Sequence, residues 1–115
     1  MKRFSGAIGI EQGSPVLFDD YAHAGPMWTG EGPREVRLPQ TFEATFLGPP
    51  AVCIGISMWD IDGNKNSRVD ISAERITTGG FEIVFRTWAD TRVARIRADW
   101  MAIGPVRDED DWEVS

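Results

Sequence analysis

Cysteine, histidine and tyrosine occur once each, as Cys53, His23 and Tyr21, in a chain of 115 residues. A single cysteine excludes an intrachain disulfide and any cysteine-based zinc site. A single histidine leaves a Ser-His-Asp triad or a histidine-ligated zinc only one candidate. No apolar run approaches the roughly 20 residues that cross a bilayer, so membrane insertion is not expected. Met1-Lys2-Arg3-Phe4-Ser5-Gly6 has basic residues but no apolar stretch behind them, so no signal peptide is expected. The compartment stays open between the cytoplasm and a non-classical or particle-borne exit. Basic excess is also lacking: 12 Lys and Arg face 18 Asp and Glu, a net charge of −6. That balance argues against nucleic acid or an anionic membrane as partner, because both affinities rest on neutralising phosphates. Glycine-rich phosphate loops, nucleophile elbows and HExxH are missing as well. Neither catalysis nor a cofactor nor a metal is expected.

What is present points to one globular domain. Hydrophobic residues make up 42% and charged residues 26%, close to globular averages, and the chain is too short for two cores. Five tryptophans and six phenylalanines accompany twelve glycines and seven prolines. The acidic excess is concentrated at the end. Residues 105–115 hold five acids and one arginine, whereas residues 1–104 hold 13 acids and 11 bases. The expected organisation is a domain over 1–104 followed by an acidic tail over 105–115, with Trp112 in the tail as a possible docking residue.

Strand patterning dominates from Arg34 to Gly104. Ala51 to Ser57 is a short apolar run between Gly48-Pro49-Pro50 and Asp60-Ile61-Asp62-Gly63. Val69, Ile71 and Ala73 alternate with Arg68, Asp70, Ser72 and Glu74. Phe81, Ile83 and Phe85 alternate with Glu82, Val84 and Arg86. Ile96, Ala98 and Trp100 alternate with Arg95, Arg97 and Asp99. Period-2 alternation with turn signals about every ten residues predicts an antiparallel β-sandwich. Thr41 to Leu47 and Gly6 to Ile10 are expected to supply two more strands, giving six. Gln12 to Pro33 reads as a long loop, ordered by Tyr21, Met27 and Trp28.

Asp60-Ile61-Asp62-Gly63-Asn64-Lys65-Asn66 has the alternating oxygens of a calcium loop. Gly63 stands at position 4 and Ile71 at position 12, where an EF-hand needs Gly at 6 and Glu at 12. A hairpin turn accounts for the same residues. Arg68, Arg86, Arg95 and Arg97 sit at polar strand positions. A guanidinium fork suits vicinal sugar hydroxyls as well as carboxylates, and the plainer expectation pairs these arginines with Asp70, Glu82 and Asp99. Trp100 belongs to the core. Trp59 and Trp88 close strands at loop junctions, as platforms or anchors would, and Trp28 lies among glycines in Met27 to Arg34. An aromatic face beside arginine and acids is the chemistry of a sugar site.

The stretch from Pro50 to Gly104 resembles the H-type lectin domain, the family of snail agglutinins and of the C-terminal domain of discoidins. The resemblance is carried by Pro50-Ala51-Val52, Ile56-Ser57 with Asp60, and Asn66-Ser67-Arg68-Val69. It continues through Gly80-Phe81, Thr87-Trp88-Ala89-Asp90-Thr91 and Asp99-Trp100-Met101-Ala102-Ile103. It implies a six-stranded antiparallel sandwich that assembles as a parallel homotrimer, with a carbohydrate site at each subunit interface and no metal. Galactose or N-acetylgalactosamine is the typical ligand. By position, Arg68 matches the sugar-binding arginine, Glu31 falls near an acidic residue that holds sugar hydroxyls, and Trp88 matches the aromatic supplied by the adjoining subunit. Asp90 and Trp28 complete the candidate carbohydrate-binding set. Two departures bear on specificity, Ala89 where a histidine often stands and Ala94 where snail agglutinins have an aromatic wall. Without a signal peptide or disulfides, a bacterial or phage-borne member is the expected kind. The alternative function is a structural or adaptor subunit of a larger particle, such as a phage spike, with an adhesion role.

Overall fold

The computed structural model describes residues 1–108; the part of the acidic tail that carries Trp112 lies outside them. In chain order the elements are β1 (Ile8–Gly13), β2 (Val16–Asp19), α1 (Asp20–His23), α2 (Pro26–Thr29), β3 (Arg34–Thr41), β4 (Ala51–Ile61), β5 (Val69–Glu74), β6 (Gly80–Thr87) and β7 (Val93–Pro105). They form two antiparallel sheets. In the first, β7 is central, with β4 along one side. Along its other side β1 and β2 lie end to end, Ile8 opposite Pro105 and Asp19 opposite Arg95. The second sheet has the order β3-β6-β5.

The all-β sandwich is as expected, while its strand inventory differs in two places. The described residues hold seven strands rather than six. Ser14-Pro15 splits one edge row into β1 and β2, because proline has no N–H for the ladder. The six rows of the sandwich therefore survive. Thr41 to Leu47 is not a strand: β3 covers Arg34–Thr41 and the chain then turns irregular. Phe42 and Phe46 are both buried and meet edge-on at 5.0 Å. Four residues apart, with their N–H groups bonded to Gly79 and Thr78 carbonyls, they seal an end of the sandwich instead of alternating along a sheet.

The core lies between the sheets. Phe81, Ile83 and Phe85 of β6 face Ile96, Ala98, Trp100 and Ala102 of β7, and all are buried. The Trp100 indole N–H donates to Gln40 Oε1 at 3.2 Å, satisfying its one polar atom. Gly13 is required here, since a Cβ would collide with Trp100 Nε1.

The outer face of the second sheet is closed by charge. Arg37 bridges Glu35 and Glu82, each at 3.0 Å, and Arg86 bridges Glu35 at 2.9 Å and Glu74 at 3.0 Å. On this nominally outer face Val84, opposite Arg37 in register, has 0% exposure. Of the expected pairings of the strand arginines, Arg86 does meet Asp70, at 3.9 Å, and the rest are corrected. Glu82 serves Arg37 and Arg75, Arg95 meets Asp60, and Arg97 donates to Ser57 Oγ while Asp99 accepts from Ser14.

Candidate functional site

One end of the sandwich gathers the start of β3, the start of β5, the end of β6 and the loop that leads into β7. Arg68 immediately precedes β5, where Val69 opposes Thr87 in register. Its backbone is held on both sides by buried threonine hydroxyls. Arg68 N–H donates to Thr91 Oγ1 at 3.0 Å, and Thr87 Oγ1 donates to the Arg68 carbonyl at 2.6 Å. Thr91 Oγ1 also donates to the Asn66 carbonyl at 2.5 Å, and both threonines have 1% exposure or less. The Arg68 side chain itself is exposed, and no described residue pairs with its guanidinium. Arg86, Arg95 and Arg97, by contrast, are engaged by neighbours.

Asp90 is tied to the same place, its Oδ1 accepting from Asn66 Nδ2 at 3.2 Å. The loop holding Glu31 is fixed by Gly32 N–H donating to the Ala89 carbonyl at 2.9 Å. Arg34 reinforces that link. Its guanidinium donates to the carbonyls of Gly32 at 2.9 Å, Met27 at 3.2 Å and Ala89 at 3.3 Å. Burial depresses the Arg34 guanidinium below its ordinary pKa, with the Glu31 carboxylate acting in the opposite sense.

The expected long loop from Gln12 to Pro33 is ordered, and it contains β2 and both single-turn helices. Asp20 organises it by accepting the Met27 N–H at 2.9 Å, and Met27 inserts into the core at 1% exposure. Pro26 is pre-set for the first helical position of α2. This arrangement carries Trp28 to the surface, half-buried and edge-on to Tyr21 at 5.1 Å.

Trp88 is 40% exposed and lines an open groove of about 260 Å³ with Pro33, Arg34, Glu35, Arg86 and Thr87. Apart from Pro33, those neighbours belong to β3 and β6, whereas Arg68 lies on the β5 side of β6. Within one subunit the two leading candidates thus flank β6 on opposite sides. Ala89, where a histidine was looked for, is exposed with φ of 59°, and Ala94 is buried at 3% exposure. Asp60 and Asp62 are used separately, Asp60 by Arg95 and Asp62 by the Asn64 N–H at 2.9 Å.

The model of the H-type lectin domain matches residues 37–103. The chain belongs to the H-type lectin domain family. An H-type lectin domain is a carbohydrate-binding module. The chain is 59% identical over 114 residues to "ATP synthase subunits region ORF 7" of Fuscovulum blasticum, covering 99% of each. It is 37% identical over 75 residues to a discoidin-1 chain of Dictyostelium discoideum, covering 64% of this chain and 30% of that one. The structure of recombinant discoidin II from the same organism superposes with a TM-score of 0.76 at 28% identity. That match covers 90% of this chain and 39% of the other. The chain therefore spans well under half the length of the discoidins it matches.

Sequence reasoning did not single out Arg34, Thr87 or Thr91. A signal for Thr87 was present, because it continues the inward series Phe81, Ile83, Phe85, and a hydroxyl at such a position must find a partner. Arg34 had no comparable signal, since its partners are backbone carbonyls of its own loop and of Ala89, which only the folded chain brings together.

Proposed function

We propose that this protein is a non-enzymatic lectin that assembles as a parallel homotrimer. It takes a galactose-like or N-acetylgalactosamine-like residue at each subunit interface. Arg68 carries the reading. It is an exposed guanidinium without a partner among the described residues, on a backbone clamped by two buried hydroxyls. A rigidly mounted, unpaired donor fork loses little freedom on binding adjacent sugar hydroxyls. Asp90 and Glu31 supply acceptors at the same end, and Trp28 forms a rim.

Trp88, whose groove runs along the β3 side of β6, fits a role on the neighbouring subunit's sugar, as the family resemblance implies. An indole stacks on the C–H face of a pyranose, while the arginine and the acids select among its hydroxyls. Ala89 in place of a histidine removes one contact to an acetamido group, so galactose itself is favoured over its N-acetylated form. Three weak sites on one end of a trimer reach useful strength on a cell surface by avidity.

A glycan array with titration calorimetry on its best ligand tests the proposal. Wild-type protein should bind, and Arg68→Ala should lose roughly 10- to 100-fold in affinity, the range for a charge-assisted hydrogen bond. Its melting temperature should stay close to that of wild type. Wild-type silence on a broad panel of animal and bacterial glycans would overturn the reading.

A further inference from the structure

Three loops meet at the Arg68 end, and the central one, Trp88 to Arg92, is tied to both neighbours. On the side of Arg68, Asp62 N–H donates to the Arg92 carbonyl at 3.0 Å and Asn66 Nδ2 to Asp90 at 3.2 Å. The two bonds of the Thr91 hydroxyl join them. On the side of Trp28 and Glu31 both ties end on one atom. The Ala89 carbonyl oxygen accepts from Gly32 N–H at 2.9 Å and from Arg34 Nη2 at 3.3 Å. Ala89 has a left-handed φ of 59° there, which a residue with a side chain keeps only where its surroundings impose it.

Arg34 is built into this junction. Besides Ala89, its fork reaches three carbonyls of its own loop: Gly32 at 2.9 Å from Nε, and Met27 at 3.2 Å and Pro26 at 3.5 Å from Nη1. The residue is half-buried, and no carboxylate among the described residues forms an ion pair with it. Gly30 clears its path, since a Cβ there would stand 2.5 Å from the Pro26 carbonyl oxygen and 3.0 Å from Arg34 Cδ. A half-buried cation that meets only carbonyls adds little net stability, because lost hydration offsets much of the attraction. What a rigid planar fork does supply is geometry. We infer that Arg34 is a positioning residue of the proposed sugar site. Through Ala89 it locks the loop bearing Trp28 and Glu31 to the loop bearing Asp90, which Thr91 in turn locks to Arg68. The contacts on both sides are then ordered before a sugar arrives, so that binding does not bear the cost of ordering them. This role deepens the lectin reading and rests on it.

Surface plasmon resonance on an immobilised galactose polymer tests the role, with avidity keeping weak variants measurable. Arg34→Ala should lose roughly tenfold in affinity, the cost of re-ordering two side chains on binding. Arg34→Lys should lose nearly as much, because one ammonium cannot span the Gly32, Met27 and Ala89 carbonyls. A residue that only stabilised the fold would have the same effect in any background. Here, in a Trp28→Ala/Glu31→Ala protein, Arg34→Ala should cost less than about twofold more, since the side chains it positions are gone. Amide exchange at Gly32 should quicken roughly tenfold in Arg34→Ala, with the β-sheet circular-dichroism signal unchanged. Wild-type affinity in Arg34→Ala or Arg34→Lys, or the full tenfold loss in the Trp28→Ala/Glu31→Ala background, would overturn the role and leave the lectin reading intact. Wild-type silence on the polymer would overturn both. If Arg34→Ala fails to fold, Arg34→Lys carries the same comparison.

Discussion

The clamp on Arg68 makes a quantitative demand of Thr91. Replacing it by valine keeps the shape of a fully buried side chain and removes a hydroxyl that accepts from Arg68 N–H at 3.0 Å and donates to the Asn66 carbonyl at 2.5 Å. Each backbone group left unpaired costs about 1–3 kcal/mol when buried. Arg68 and Asn66 sit at the surface, so water partly replaces the lost partner and the lower end applies. The expected destabilisation is about 2 kcal/mol, or a fall of roughly 8 °C in melting temperature for a domain of this size. Urea denaturation at matched protein concentration measures it, since the proposed self-association would make apparent stability concentration-dependent. Thr91→Ser keeps the hydroxyl and removes one methyl, for about 0.8 kcal/mol. Glycan affinity separates the two variants further. Valine should cost about tenfold, because the Arg68 backbone is released on one side, and serine should cost almost nothing. A Thr91→Val protein within about 0.5 kcal/mol of wild type, with undiminished affinity, would show that the hydroxyl does not hold the site.

Other expectations follow from single contacts. Gly13→Ala forces a methyl group into the Trp100 indole and should destabilise by about 1–3 kcal/mol, read by thermal melting with a shift in tryptophan emission. Ala89→Gly relieves a left-handed residue at φ of 59° and should stabilise by roughly 1 kcal/mol, seen as a raised urea midpoint. Glu74 is held below the usual carboxylate range chiefly by its hydrogen bond from Arg86, and Asp99 by those from Ser14 and then Ser57. Both pKa values are lower in the folded state. Their stabilisation is therefore complete above the unfolded carboxylate value and lost as pH falls through the folded one. Carboxyl titration by NMR should find Glu74 shifted up in Arg86→Ala, and an unmoved Glu74 would refute the pairing.

Most of the sandwich could be read from alternation, because β5, β6 and β7 each bury one face against the opposite sheet and period 2 records that directly. The two errors share a cause. Thr41-Phe42 to Phe46-Leu47 has strand-like composition, but its phenylalanines seal an end, and end-sealing leaves no periodicity. Val16–Asp19 is only four residues long, within a segment dominated by glycine, proline and aspartate, and it pairs only because β7 is long enough to serve two partners on one side. Apart from Arg86 with Asp70, the arginine pairings were misjudged for a related reason. Which acid an arginine meets depends on sheet order, and β3, which supplies Glu35 and Arg37, was not resolved as a strand. At the site, Arg68 and Trp88 were found through family resemblance. Their separation across β6 and the threonine clamp required the fold.

The split edge row has a consequence for life at high concentration. A sandwich has open strand edges, and each is a template on which a foreign strand can continue the ladder. Here Pro15 interrupts the β1/β2 edge and Pro39 removes a donor from β3. β5 is six residues long and places Asp70 outward, and β4 is bent by register shifts after Ile56 and Asp60. For a chain proposed to gather copies of itself, an interrupted edge keeps assembly from becoming edge-to-edge polymerisation. Pro15→Val or Pro39→Val should leave the native state intact while shortening the lag to thioflavin-positive fibres. The interruption that obscured a strand in the sequence is then what keeps this edge row from serving as a template for aggregation.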